Sequence, residues 1–192
     1  MDAVRIGRDV GVKWAGEQSA QSLLAALMLR NFANPILWQA DPDCVLLRSR
    51  FHHLTDDEIR SLALYAGMSG GVLMTSDALH ELPPERVELL RLLQVMDAGE
   101  CRYPLLGQTD PPDPVVAQVR EAVPHAGEML IAVHLFNTGD EAVSRRYSLG
   151  DLGIAGPVAW WGAASGAAEA AATAISVSLR PHESKLLWLK IG

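Results

Sequence analysis

The chain is organised around residues 37–48, which read Leu37-Trp38-Gln39-Ala40-Asp41-Pro42-Asp43-Cys44-Val45-Leu46-Leu47-Arg48. Asp41 and Asp43 flank Pro42. Apolar residues ending at Trp38 precede this group, and the apolar run Val45-Leu46-Leu47 follows it. Pro42 fixes its own φ and disfavours helix at Asp41, so the acids lie on a stiff, non-helical corner. Such a corner places polar groups where a strand ends, which is where α/β enzymes keep their chemistry. An ordinary surface turn is the alternative, because Asp and Pro are common turn residues.

Composition excludes several classes of function. The 192 residues carry a formal net charge of −7 and no basic stripe that could meet phosphates, so no nucleic-acid partner is expected. Cys44 and Cys101 are too few for a disulfide framework and lack metal-ligand spacing, and we expect neither a metal nor a cofactor. Without a signal-peptide pattern or an apolar run long enough to cross a bilayer, no membrane contact is expected, and a cytoplasmic location is the default.

The first half of the chain begins as a strand, a helix and a second strand. Residues 4–10 predict a short strand feeding a polar loop, in which Arg5 and Asp9 are four residues apart and, on the residues alone, form an ordinary surface ion pair. Helical spacing of apolar residues follows over 19–32 and is ended by Asn34-Pro35. Residues 36–38 predict the strand that leads into the Asp-Pro-Asp corner.

The alternation continues beyond the corner. Thr55 and Glu58 form a capping box that predicts the start of a second helix, and Gly70-Gly71 lie where it would end. Residues 72–75 predict a third short strand, and Pro83-Pro84 open a third helix. Strands that alternate with helices predict a parallel sheet with the helices packed on it.

The second half is rich in predicted strands. A proline-rich loop over 107–114 is expected to separate two structural units. The strands are predicted at 129–136, 157–161, 175–179 and 185–191. The alanine-rich piece 162–172 is either helical or a flexible loop. Together these features predict an α/β portion followed by a small antiparallel β-sandwich.

Several motifs, in order along the chain, resemble those of one family. They are Arg5-Ile6-Gly7-Arg8-Asp9, Trp38 with Asp41-Pro42-Asp43-Cys44, Ser69-Gly70-Gly71 to Ser76-Asp77, Leu82 to Leu93, His134 to Asn137, Leu149 to Ile154, Trp160-Trp161 and Leu179 to His182. The pattern is similar to that of α-galactosidases, the melibiases of glycoside hydrolase families 27 and 36. The resemblance implies the last third of a (β/α)₈ TIM barrel, about three strand–helix units, over residues 1–97. It also implies a linker or the start of a β-domain over 98–127, and an antiparallel β-sandwich over 128–192.

The resemblance implies a role for each matched residue. Asp9 falls on the family's general acid/base, and Arg5 lines the sugar site. Asp43 and Cys44 lie at the wall of the substrate pocket with Trp38 packed behind it, and Asp41 and Ser76-Asp77 have weaker claims. Two alternatives stay open: Trp38 as a plain core aromatic, and Cys44 as a small buried apolar residue.

The chain lacks a recognisable partner for Asp9. A retaining glycosidase needs a second carboxylate about 5 Å from the acid/base, and in this family that nucleophile follows a Lys-(Trp/Tyr)-Asp pattern on an earlier strand. The Lys13-Trp14 pair here is followed by Ala15 and lies after the acid/base motif. A complete barrel takes about 250 residues, so we expect a fragment.

Two classes of function follow. In the first, the chain is part of a retaining glycoside hydrolase that acts on terminal α-galactosides, carries the acid/base and cannot turn over unaided. Its partners would be the α-galactoside substrate and either the missing amino-terminal barrel segment or a second copy of itself. In the second, it is a non-catalytic structural module or a weak carbohydrate-contact module.

Overall fold

The computed structural model describes residues 2–96, 100–161 and 168–191. The chain divides into two compact units, residues 1–100 and residues 101–192. The boundary predicted between residues 97 and 98 falls on residues outside the described ranges and stays a prediction. No helix within those ranges is long and apolar enough to cross a membrane.

Three helices make up most of the first unit: α1 (Ala20–Arg30), α2 (Asp56–Ser69) and α3 (Pro84–Val95). All three were predicted. The Thr55 hydroxyl accepts a hydrogen bond from the Glu58 N–H at 3.3 Å, and the Glu58 carboxylate accepts one from the Thr55 N–H at 2.7 Å. This reciprocal pair is the predicted capping box, and it satisfies two N–H groups that the helix itself leaves without partners.

Parallel pairing holds the strands of the first unit together. Strand β1 (Ala3–Arg5) pairs with β2 (Gln39–Asp41) in parallel. A third segment runs beside β2, because the Val72 N–H donates to the Ala40 carbonyl at 2.9 Å and Met74 forms a parallel bridge with Cys44. The predicted parallel arrangement is therefore observed, although the third strand predicted over 72–75 is reduced to this bridge.

The second strand starts later than predicted. Residues 36 and 37 belong to a turn that is closed by a hydrogen bond from the Leu37 N–H to the Ala33 carbonyl at 2.8 Å. The buried Asn34 side chain explains the later start, because it accepts from the Ala40 N–H at 3.0 Å and donates to the Ser69 carbonyl at 3.1 Å. One amide thus ties β2 to the end of α2.

The second unit consists of antiparallel strands. They are β3 (Cys101–Arg102), β4 (Val115–His125), β5 (Glu128–Asn137), β6 (Val143–Ser148), β7 (Val158–Trp161), β8 (Ala168–Ala172), β9 (Ala174–Leu179) and β10 (Ser184–Ile191). Six of them form a sheet in the order β3-β4-β5-β10-β7-β8, and β6 pairs with β9. The proline-rich loop 107–114 connects β3 to β4 inside this unit, rather than separating the two units.

One apolar core joins the two sheets of this unit. Alternate side chains of β4 and β5 are buried in it, and they meet buried side chains of β6 and β9. The members from these strands are Val115, Ala117, Val119, Ile131, Val133, Leu135, Tyr147, Ile175, Val177 and Leu179. Because side chains alternate between the two faces of a strand, this pattern is typical of sheets that pack face to face.

Two features of the second unit differ from prediction. Residues 168–172 form strand β8, paired with β7, and are neither helix nor free loop; the rest of the alanine-rich piece, residues 162–167, lies outside the described residues. The sequence analysis also missed β3, β4 and β6. Strand β4 keeps an apolar period of two at Val115, Ala117 and Val119, while Gln118 and Arg120 lie on its other face and are buried as well.

Candidate active site

The ends of β1 and β2 place an arginine beside an acid. In the parallel register Arg5 is opposite Asp41, so both residues lie at the same end of the two strands. The Arg5 Nε donates to Asp41 Oδ2 at 3.3 Å. The carboxyl ends of neighbouring parallel strands form one edge of a sheet, where α/β folds place their functional groups.

The Arg5 guanidinium gathers two further carboxylates. Its Nη1 lies 3.0 Å from Asp9 Oδ1 and 3.2 Å from Asp43 Oδ2. The two residues predicted as a surface ion pair are thus joined to both acids of the Asp-Pro-Asp corner. We call Arg5, Asp9, Asp41 and Asp43 the carboxylate cluster.

The two acids of the corner, Asp41 and Asp43, accept different backbone hydrogen bonds. Asp41 Oδ1 accepts the Asp43 N–H at 2.8 Å, which holds the turn over buried Pro42. Asp43 has a φ of +73°, a left-handed conformation in which Asp is one of the better tolerated residues. Its Oδ2 accepts the Val10 N–H at 2.8 Å. Asp43 therefore ties the loop that carries Asp9 to the end of β2.

Charge and hydrogen bonding shift two pKa values within the cluster. Burial by itself disfavours the charged form of Arg5, but its hydrogen bond to Asp41 and the negative charges of all three acids outweigh burial and raise its pKa. Burial likewise works to raise the pKa of Asp43. The N–H groups of Val10 and Cys44, followed by the charge of Arg5, outweigh that effect and lower it. Asp43 is thus a firmly ionised anchor.

Asp9 is the accessible member of the carboxylate cluster. Its side chain is 85% exposed, whereas that of Asp43 is 13% exposed. Asp9 lines an open cleft of about 720 Å³ together with Arg8, Lys13 and His53. A carboxyl group in this position can exchange a proton with a molecule in the cleft.

Gly11, which sequence reasoning missed, shapes the loop after Asp9. It is buried, and a Cβ on it would lie 2.2 Å from the Gln18 carbonyl oxygen, far inside contact distance. Only glycine allows this approach of two backbone segments. No local signal in the sequence pointed to it, because its partner is brought there by the start of α1.

The other predicted pocket residues lie beside the cluster in the chain. Cys44 is a half-buried free thiol, and both its N–H and its thiol hydrogen-bond to the Asp43 carboxylate. Trp38 is half-buried, and its indole Nε1 is buried without a hydrogen-bond partner in the described part of the chain. The assignment of either residue to a sugar site stays a prediction.

A second arginine–carboxylate pair lies one strand further on. The Asp77 carboxylate, whose side chain is fully buried, accepts the Leu47 N–H at 2.5 Å and contacts Arg48 Nη1 at 3.3 Å. Arg48 Nη1 also donates to the Ser76 hydroxyl at 3.3 Å. These contacts join the loop that follows β2 to the loop that follows the Met74 bridge. Ser76 and Asp77 therefore have a structural role.

Asp43 shares a cation with Asp9, because the Arg5 Nη1 lies 3.0 Å from Asp9 Oδ1 and 3.2 Å from Asp43 Oδ2. Its Oδ2 is also engaged by the Val10 N–H. Within the described ranges, no group of three His, Cys, Asp or Glu residues could hold a metal ion.

Comparison with solved structures identifies the fold. α-Galactosidase I from Mortierella vinacea matches with a TM-score of 0.77 at 11% identity over 100% of this chain and 53% of its own. A GH27 β-L-arabinopyranosidase from Geobacillus stearothermophilus, in complex with arabinose, matches with a TM-score of 0.78 at 18% identity over 100% of this chain and 46% of its own. The fold is that of the carboxy-terminal part of the α-galactosidases.

The chain resembles these enzymes in structure, and it covers only part of their length. The α-galactosidase from Saccharomyces cerevisiae matches at 11% identity with a TM-score of 0.66, over 100% of this chain and 60% of its own. The chain therefore spans about half the length of these enzymes. No protein-family model and no curated protein matches it. The predicted resemblance to α-galactosidases is thus confirmed for the fold.

Proposed function

We propose that this chain is the carboxy-terminal part of a retaining α-galactosidase-like glycoside hydrolase, with Asp9 as its general acid/base. The observation that carries the proposal is that Asp9 is the exposed acid of a cluster at the carboxyl ends of parallel strands, in a fold whose solved neighbours are glycoside hydrolases. The substrate would be a terminal α-galactoside, and the nucleophile would come from outside residues 1–192.

The proposal includes a finer description of the fold. The first unit would be the last three strand–helix units of a (β/α)₈ barrel. This description is supported by the order of elements, because β1, β2 and the segment around Met74 are followed by α1, α2 and α3, respectively. The three segments pair in parallel. The second unit would be the β-sandwich that follows the barrel, supported by the core that its two sheets share.

In the proposed chemistry, Asp9 gives one proton to the leaving group and later takes another from water. Protonated Asp9 donates to the glycosidic oxygen as the bond to the anomeric carbon breaks, while the external carboxylate forms the glycosyl-enzyme. Ionised Asp9 then takes a proton from the water that attacks this intermediate, which restores both carboxyl groups. Arg5 would hold Asp9 in place during both steps, and Asp43 would hold the loop. Trp38 and Cys44 would line the sugar pocket.

The test is hydrolysis of p-nitrophenyl α-galactoside. We expect no turnover by the chain alone, and turnover when a complementing amino-terminal piece is added. Asp9→Asn should then reduce turnover by about 10²- to 10⁴-fold, the usual contribution of general acid–base catalysis. On this substrate the loss comes from hydrolysis of the glycosyl-enzyme, which has lost its base, because p-nitrophenolate leaves readily without a proton. Turnover by the isolated chain, or full activity of the assembled Asp9→Asn variant, would contradict the proposal.

The alternative is a non-catalytic carbohydrate-contact or structural module. The observation in its favour is that the second unit has an apolar core of its own. Titration of the full chain with galactose, followed by NMR, separates the two candidates. Shifts confined to residues 101–192 favour the alternative, whereas shifts at Arg5, Asp9 and Asp43 favour the enzyme.

A further inference from the structure

A phenylalanine in the loop between β2 and α2 combines two unfavourable features. Phe51 has a φ of +63°, a left-handed conformation that is an outlier for a bulky side chain. It is also 75% exposed, so burial of the ring does not offset the backbone strain. Strained residues cluster at active sites and ligand-binding sites. Phe51 is therefore a candidate ligand contact.

Hydrogen bonds fix the loop on both sides of Phe51. The His53 N–H donates to the Val12 carbonyl at 2.7 Å. His52 Nδ1 accepts the Leu54 N–H at 3.2 Å, so His52 Nε2 carries the proton and donates to the Arg48 carbonyl at 2.6 Å. The loop is thus ordered before any ligand arrives, which lowers the entropic cost of binding.

The Phe51 ring is oriented by its neighbour Arg50. The Arg50 Cζ lies over the ring at 5.0 Å from its centroid, which is within the range of a cation–π contact. The Arg50 guanidinium is itself held by an ion pair with Glu81. One face of the ring is covered by this guanidinium, and the exposure of Phe51 leaves most of the remaining ring surface in solvent.

Phe51 lines an open cleft of about 300 Å³, which we call the Phe51 cleft. This volume is at the lower end of the range for small-molecule sites, about 300–1,000 Å³. The polar residues that line it are Arg48, Ser49, Arg50, Ser76 and Glu81. An aromatic ring among a few polar groups is the usual composition of a site for a small polar molecule.

The charges of the Phe51 cleft favour a neutral ligand. Arg48 is paired with Asp77, and Arg50 is paired with Glu81. Each cation is balanced by a carboxylate, so a charged ligand would gain little from the cleft. Guanidinium N–H groups, a carboxylate and serine hydroxyls together can donate to and accept from the hydroxyl groups of a sugar.

The ring supplies the other half of sugar recognition. A pyranose carries C–H groups on one of its faces, and the face of an aromatic ring bears the negative part of the ring quadrupole. We propose that the Phe51 cleft binds a neutral pyranose ring, which stacks on Phe51 and hydrogen-bonds to the polar lining.

The Phe51 cleft and the carboxylate cluster lie on the same edge of the parallel sheet. Asp43 and Arg48 both follow β2, and Ser76 follows the Met74 bridge. The carboxyl ends of parallel strands meet at one edge. The cleft would therefore hold a second sugar ring of an oligosaccharide substrate, beyond the galactosyl residue at Asp9. In that respect the inference rests on the proposed function.

The experiment titrates the full chain with raffinose, a neutral trisaccharide that ends in an α-galactoside. The chain contains three phenylalanines, so ¹³C labelling of their rings gives an NMR spectrum in which Phe51 is identified by its loss in a variant. Phe51→Gly removes the ring and relieves the strain at positive φ. Phe32→Ala is the matched control, because Phe32 is also 75% exposed but lies in a 3₁₀-helix over Asn31–Ala33.

We expect raffinose to shift the ring signals of Phe51 and to leave those of Phe32 unchanged. Phe51→Gly should weaken raffinose binding by about tenfold, the size expected for one stacking contact, and should unfold at the same or a higher temperature than the natural chain. Phe32→Ala should bind raffinose as the natural chain does. A loss of binding in a variant that is no less stable cannot come from misfolding.

Four results would overturn the inference. Raffinose leaves the Phe51 signals unchanged; Phe51→Gly binds raffinose as tightly as the natural chain; inorganic phosphate shifts the Phe51 signals in place of raffinose; or analytical ultracentrifugation shows a dimer of the chain that Phe51→Gly dissociates.

The failure of this inference can be told apart from the failure of the proposed function. Raffinose binding at Phe51 without Asp9-dependent hydrolysis in the assembled enzyme would support the Phe51 cleft and contradict the proposed function. Asp9-dependent hydrolysis with no shift at Phe51 would do the reverse.

Discussion

At the scale of single residues, Asp43 holds the candidate site together. Its carboxylate joins the Val10 N–H, the Cys44 N–H and the Arg5 guanidinium. A sequence can show that Asp43 lies on a stiff corner, and the resemblance can suggest a pocket wall. The bond to Val10 could not be predicted, because it joins residues 33 positions apart.

Replacing Asp43 should therefore destabilise the first unit. Asp43→Ala is expected to lower the free energy of unfolding by about 2–3 kcal/mol, because it leaves hydrogen-bond donors to a charged group without their acceptor and puts alanine at positive φ. Asp43→Asn should cost about 1 kcal/mol, since asparagine keeps an acceptor and tolerates this conformation. Urea unfolding followed by circular dichroism measures both. Glu88→Gln, in an exposed i, i+3 pair with Arg91, is the control and should change little.

The pH dependence of the same residue has a definite sign. The folded-state pKa of Asp43 lies below its ordinary value of 3.8. Its ionised form therefore adds stability that is fully present above about pH 4 and is lost as the pH falls through the folded-state pKa. The gap in unfolding free energy between the natural chain and Asp43→Asn should stay constant from neutral pH to about pH 5 and shrink below pH 4. A gap that widens on acidification would contradict this account.

At the scale of elements, the helices could be predicted more accurately than the strands. The capping box at Thr55 and Glu58 is a local signal, and the structure confirms it. Strand β2 begins at Gln39 rather than at Ile36, because the Asn34 amide bonds to Ala40 and Ser69. These hydrogen bonds join residues that are distant in the sequence. The apolar run Ile36-Leu37-Trp38 therefore predicted a strand start that is too early. Strand β4 was missed for another reason, because Val115, Ala117 and Val119 do alternate along it and this period of two is a local signal that could have been used.

Gly71 tests the contact between β2 and the third parallel segment. A Cβ at Gly71 would lie 2.3 Å from the Ala40 carbonyl oxygen, and its φ is +98°. Gly71→Ala should lower the unfolding free energy by about 3–5 kcal/mol, because strain and a backbone clash combine. Gly107→Ala is the matched control: its φ is +75° but nothing lies within 4 Å, so only the conformational cost of about 1 kcal/mol applies. Equal effects in thermal unfolding would show that the close approach is not needed.

At the scale of the whole molecule, the order of motifs carried the most information. The spacing from Arg5 through Asp43 to Asp77 pointed to the fold that the solved structures share. The carboxylate cluster could be expected only in part, since Arg5 and Asp9 form a pair on sequence grounds while the register that brings Asp41 to Arg5 depends on the sheet. The cytoplasmic location and the absence of the nucleophile from residues 1–192 stay predictions.

The proposed role of Asp9 as proton donor in glycoside hydrolysis can be tested by how the loss of rate in Asp9→Asn depends on the leaving group. The natural chain and the variant, each assembled with the amino-terminal piece, would be compared on methyl α-galactoside and on 2,4-dinitrophenyl α-galactoside. A poor leaving group needs protonation and a good one does not. The rate of glycosidic bond cleavage by Asp9→Asn should therefore fall far more for the methyl glycoside than for the dinitrophenyl glycoside. An equal loss for both substrates, or no loss for either, would contradict it.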